Sequence, residues 1–115
     1  MNPGASLADI FNKRRIWIEK DLFAGIPNPF WENREILTLN EFFGNSLAAA
    51  LELGNLDYLQ TDITWIRQKM RAQANPENKF LKYLEIYNQS ISQNMGQDGK
   101  TITGWIEKWV QDQIK

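Results

Sequence analysis

Thr38-Leu39-Asn40-Glu41-Phe42-Phe43-Gly44-Asn45-Ser46-Leu47-Ala48-Ala49-Ala50-Leu51-Glu52-Leu53-Gly54 is the stretch that decides the fold. A threonine followed three residues later by glutamate has the form of a capping box. In that motif the hydroxyl takes an orphan backbone N–H of the first turn and the carboxylate reaches back to the N-cap amide. Leu39, Phe42, Phe43, Leu47, Ala50 and Leu51 then recur at intervals of three and four, so they share one helical face. The Ala48-Ala49-Ala50 run favours helix and permits close approach by a neighbour. Gly54-Asn55 ends this helix and caps the next with almost no loop. The stretch therefore predicts a capped amphipathic helix, which is stable in water when its apolar stripe is buried on other elements.

Those other elements lie on both sides. Towards the N-terminus, Ser6 with Asp9 resembles a second capping box, and Leu7, Ile10, Phe11, Trp17, Ile18 and Leu22 follow helical spacing up to a stop at Gly25. Ile26-Pro27-Asn28-Pro29-Phe30-Trp31 reads as a stiff, aromatic-rich connector, because each proline biases the residue before it towards extended backbone. Towards the C-terminus, Leu56, Leu59, Ile63, Ile66 and Met70 mark a third helix. Asn75-Pro76-Glu77 supplies the N-cap, first-turn proline and first-turn acid of a fourth, which carries Phe80, Leu84, Tyr87 and Ile91. After Gly96 and a polar Gln97-Asp98-Gly99-Lys100 turn, a last helix presents Ile102, Trp105 or Ile106, Trp109 and Val110. No segment sustains the period-two alternation of a strand. The expectation is an all-α, compact bundle of four to five helices, forming one domain over residues 1–115.

Composition narrows the chemistry. The chain has 115 residues, no cysteine and no histidine, which removes thiolate and imidazole metal ligands, haem ligation through histidine and the commonest general base near neutral pH. No catalytic constellation and no metal site are expected, and the chain reads as a non-enzyme. Thirteen basic against fourteen acidic residues give no field to gather nucleic acid, so that partner is not expected. Lys13-Arg14-Arg15 is the densest basic run and reads as solvated helix. Gly96-Gln97-Asp98-Gly99-Lys100-Thr101 ends like a phosphate-binding loop but lacks its glycine spacing, so it reads as a turn. No run is long and apolar enough to span a membrane and no signal-peptide pattern opens the chain, which makes a cytoplasmic location the default expectation.

Five tryptophans, Trp17, Trp31, Trp65, Trp105 and Trp109, are many for so short a chain. Trp17 and Trp109 fall in phase with apolar positions and read as core, whereas Trp65 sits beside its helix's stripe. A homodimer or another protein is the expected partner, with Trp65, Trp105 or Trp109 near the interface.

The segment from Trp31 to Phe42 also resembles the helical bundle that precedes the cobalamin-binding domain in MerR-type light-responsive regulators and related corrinoid proteins. Trp31, Glu35-Ile36 and Glu41 match that module's motif; Phe42 stands where it has histidine and Arg34 where it has glycine. The resemblance implies a ligand-sensing cap whose surface is formed by Phe30, Trp31, Phe42 and Trp17, with Glu41 as its polar group. The implied ligand is flat and tetrapyrrole-like, held without covalent or axial histidine bonds. The competing reading is a self-associating adaptor bundle with no small-molecule ligand.

Overall fold

The computed structural model describes residues 6–26, 32–72 and 77–114. They form α1 (Leu7–Gly25), α2 (Asn33–Leu53), α3 (Tyr58–Ala72), α4 (Glu77–Met95), a 3-10 turn (Gly96–Gly99) and α5 (Lys100–Ile114). The protein is all-α, with no strand among the described residues.

α1 begins as its sequence predicts: the Ser6 hydroxyl accepts from the Asp9 N–H at 3.1 Å. Its buried side is Ala8, Phe11, Ile18 and Leu22. Trp17, expected on that side, points largely to solvent instead. Successive helical residues are about 100° apart, and the helix is turned so that Ile18 rather than Trp17 faces inward.

α2 departs from the expected start. It opens at Asn33, so Thr38 and Glu41 lie inside a continuous helix and form no cap; both are exposed. Asn33, Arg34, Glu35, Ile36 and Leu37 contain no breaker, and Ile36 already has a place in the core, so the helix propagates through Thr38. Its buried side is Ile36, Leu39, Asn40, Phe43, Gly44, Leu47 and Ala50. Phe42 falls off the edge of that face and Leu51 is half-buried. At its end Gly54 takes φ 77°, a left-handed conformation that glycine adopts without steric cost, and its N–H returns to the Ala50 and Leu51 carbonyls.

Asn55 does act locally, its side-chain oxygen accepting from the Asp57 N–H at 2.9 Å. Leu56 and Asp57 form a turn, and α3 then buries Leu59, Ile63, Ile66 and Met70. The Asn75-Pro76 cap lies outside the described residues, as does the connector from Pro27 to Trp31.

α4 is the central element. It packs against α1, α3 and α5, while α2 lies between α1 and α3. Besides the expected Phe80, Leu84, Tyr87 and Ile91, it buries Tyr83, Ile86, Ser90 and Met95. Phe43 from α2 meets Tyr87 edge-on, with ring centroids 4.8 Å apart. One continuous hydrophobic core draws on all five helices. The Gly96–Lys100 region is a tight reversal in which Gly99 is buried; a Cβ there would lie 3.0 Å from side-chain atoms of both Ile91 and Met95. That close approach lets α5 fold back along α4 with Ile102, Ile106, Trp109 and Val110 inward.

Candidate functional site

Several polar groups at the α1–α2–α4 contacts are engaged with one another. Arg15, expected as part of a solvated run, reaches across to α2. It donates to Glu19 at 2.8 Å, to the Asn45 side-chain oxygen at 2.8 Å and to the Asn40 backbone carbonyl at 3.0 Å. Tyr87 donates to the same Glu19 carboxylate at 3.0 Å, and Tyr83 donates to the Asn40 side-chain oxygen at 2.6 Å. Lys13 and Arg14, by contrast, are exposed. Burial pushes the Tyr83 and Tyr87 phenols well above their ordinary value, reinforced for Tyr83 by Tyr87 and Glu19 and for Tyr87 by Glu19. A phenol held neutral and hydrogen-bonded in the core is a clamp between helices, since neither substrate nor water has access to it. Among the described residues, no three acidic side chains are grouped closely enough to hold a metal ion. No helix among them is long and apolar enough to cross a membrane.

A groove of about 560 Å³ runs between the α2–α3 turn and α5. Leu51, Leu56 and Trp105 give it apolar walls. Some of its polar atoms are already committed: Asn55 holds the Asp57 amide, and the Asp57 carboxylate accepts from the Trp105 indole N–H at 3.0 Å. Trp105 is thereby a brace between α5 and the turn, which removes its indole donor from any partner.

The outward side of α2 and α3 is different. Phe42 and Trp65 touch, with centroids 5.8 Å apart, and remain 49% and 47% exposed. Their contact falls about three turns before Gly54 and two turns after Asp57, so α2 and α3 run antiparallel. Leu53, in phase with Phe42, and Tyr58, in phase with Trp65, are more exposed still at 65% and 59%. Lys69 lies over the Trp65 ring with its Nζ 5.5 Å from the centroid. Four large apolar side chains thus share one outward face that the core does not need.

The chain matches no protein-family model, no curated protein and no solved structure.

The sequence-based sites fall as follows. Phe30 and Trp31 lie outside the described residues. Trp17 is exposed on α1 with Lys20 over its ring, and Glu41 is an exposed side chain within α2. Phe42 is brought together with Trp65, two residues that sequence reasoning had assigned to different surfaces. Trp109 is buried in the chain's own core at 7% exposure. Tyr58 and Leu53 were missed altogether. Their signal was phase: each stands a whole number of turns from an aromatic already singled out.

Proposed function

We propose that the protein is a non-enzymatic, self-associating adaptor bundle whose docking face is the outward side of α2 and α3. The observation that carries this reading is the exposed Phe42–Trp65 pair, with Leu53 and Tyr58 exposed in phase with it nearer the α2–α3 turn, all four outside the buried core. Single exposed apolar residues are ordinary on a protein surface, but contiguous aromatic ones mark sites of association. Aromatic side chains are also the residues that dominate interface energetics. The engaged polar groups of the interior fit a scaffold better than a reaction centre.

Sedimentation across a concentration series tests the proposal. Self-association with Kd roughly in the micromolar range is expected. Phe42→Ser and Trp65→Ser should each leave helical circular dichroism intact and return the chain to monomer. A wild-type monomer at every concentration, or association indifferent to both substitutions, would refute it.

A second reading keeps the flat, tetrapyrrole-like ligand. It is favoured by the half-exposed rings of Trp17 and Phe42, flat apolar surfaces of the kind such a ligand contacts. An absorption spectrum of protein purified from its native host separates the two. A visible band lost in Trp17→Ala and Phe42→Ala supports the ligand, and a colourless dimer supports the adaptor.

A further inference from the structure

We propose that two copies pair through their α3 helices in an antiparallel, two-fold register centred on Trp65, with Asp62 of each copy against the partner's Lys69. This rests on the self-association proposed above and assigns its geometry.

The exposed strip of α3 carries Tyr58, Asp62, Trp65 and Lys69 at steps of four, three and four, so all four lie along one line of the helix surface. An isologous interface must be complementary to itself: whatever stands one turn above the axis meets what stands one turn below it. Trp65 has Asp62 three residues before it and Lys69 four residues after it. A two-fold axis passing beside Trp65 therefore places acid against base twice, once on each side of the apolar centre. Neither Asp62 nor Lys69 has an ion-pair partner among the described residues, and Lys69 is already held over the Trp65 ring. Phe42 lies against Trp65 and widens the apolar centre onto α2.

The nearest competing register argues for this one by contrast. Centring the axis on Asp62 would stack Tyr58 on the partner's Trp65, which is attractive, but it would also bring the two Asp62 carboxylates together. Like charges set face to face across a partly dry interface are strongly unfavourable. A different protein as partner would need no such symmetry. The arrangement of one acid and one base about a shared aromatic centre is what a second copy of this chain requires.

Charge exchange is the test, read as the dimer dissociation constant by sedimentation. Lys69→Glu and Asp62→Lys should each weaken the dimer about fivefold to tenfold, and the double variant K69E/D62K should return it to within about twofold of wild type. Circular dichroism of all three should match wild type, since every site is on the solvent side of α3. A dimer that persists in wild type while the double variant shows no rescue overturns the register and leaves the self-association standing. Tighter association of Asp62→Asn points to the axis centred on Asp62 and likewise overturns the register. A wild-type chain that never leaves the monomer overturns both.

Discussion

At the scale of single residues, the Arg15 guanidinium has the most consequence, because three groups on two helices depend on it. It passes over α2 at Gly44, where a Cβ would stand 2.6 Å from its Nε and Cζ. Glycine in a helix interior normally costs about 1 kcal/mol relative to alanine, so its use here reflects that close approach. Gly44→Ala is expected to lower stability by about 1–3 kcal/mol in a urea melt, as the displaced guanidinium loses charge-assisted hydrogen bonds. In an Arg15→Ala background the same substitution should become neutral or stabilising by up to about 1 kcal/mol. Equal effects in both backgrounds would show that Arg15 and Gly44 are not coupled. Tyr83→Phe belongs to the same scale. It would leave the buried Asn40 side-chain oxygen without its donor, at an expected cost of about 1–3 kcal/mol. Neither contact was legible in the sequence. Asn40 read as part of a local cap, and its true partner lies 43 residues away.

At the scale of elements, two stretches with the same local form behave differently. Ser6-x-x-Asp9 caps α1, while Thr38-x-x-Glu41 caps nothing. The hydroxyl of a capping residue is useful where the backbone before it leaves the helix, and Thr38 is preceded by residues that are themselves helical. Ser6→Ala should therefore cost about 1 kcal/mol, and Thr38→Ala should change stability by less than about 0.5 kcal/mol in either direction. A loss at Thr38 comparable to that at Ser6 would restore the cap reading and contradict the continuous helix. Helix type, the α2–α3 reversal at Gly54 and most buried positions of α3, α4 and α5 were legible, because apolar spacing of three and four is set by the helix itself. The start of α2 was not legible, because it depends on where Ile36 finds its neighbours.

At the scale of the whole molecule, the sequence left the rotation of α1 and α2 undecided, whereas on α3 it already set Ile66 in the apolar stripe and Trp65 beside it. Trp17-Ile18, Phe42-Phe43 and Trp65-Ile66 are adjacent apolar pairs, and in each the first residue is exposed while the second is buried. Two neighbours about 100° apart cannot both face the core, and on α1 and α2 periodicity alone does not say which does; that choice is made by the facing helices. Two of the members turned outward, Phe42 and Trp65, form the centre of the candidate site, which is why their contact emerged only with the assembled bundle. Assembly also sets the response to alkali. Tyr83 and Tyr87 have phenols raised above their ordinary value of 10.0 chiefly by burial, so near that pH the unfolded chain releases protons that the folded chain retains. The sign follows from linkage: where the folded state binds more protons, stability falls as pH rises. Their contribution is fully present below pH 10 and is lost progressively above it. Urea melts at a series of pH values should thus show a decline through and beyond that pH, on top of whatever the lysines contribute. In Tyr83→Phe and Tyr87→Phe the decline should be shallower, because one titrating group has been removed from the difference, even though each variant starts less stable at neutral pH. A decline of unchanged steepness in both variants would mean that the phenols do not resist ionisation in the fold, and that the core around α4 admits more water than its packing indicates.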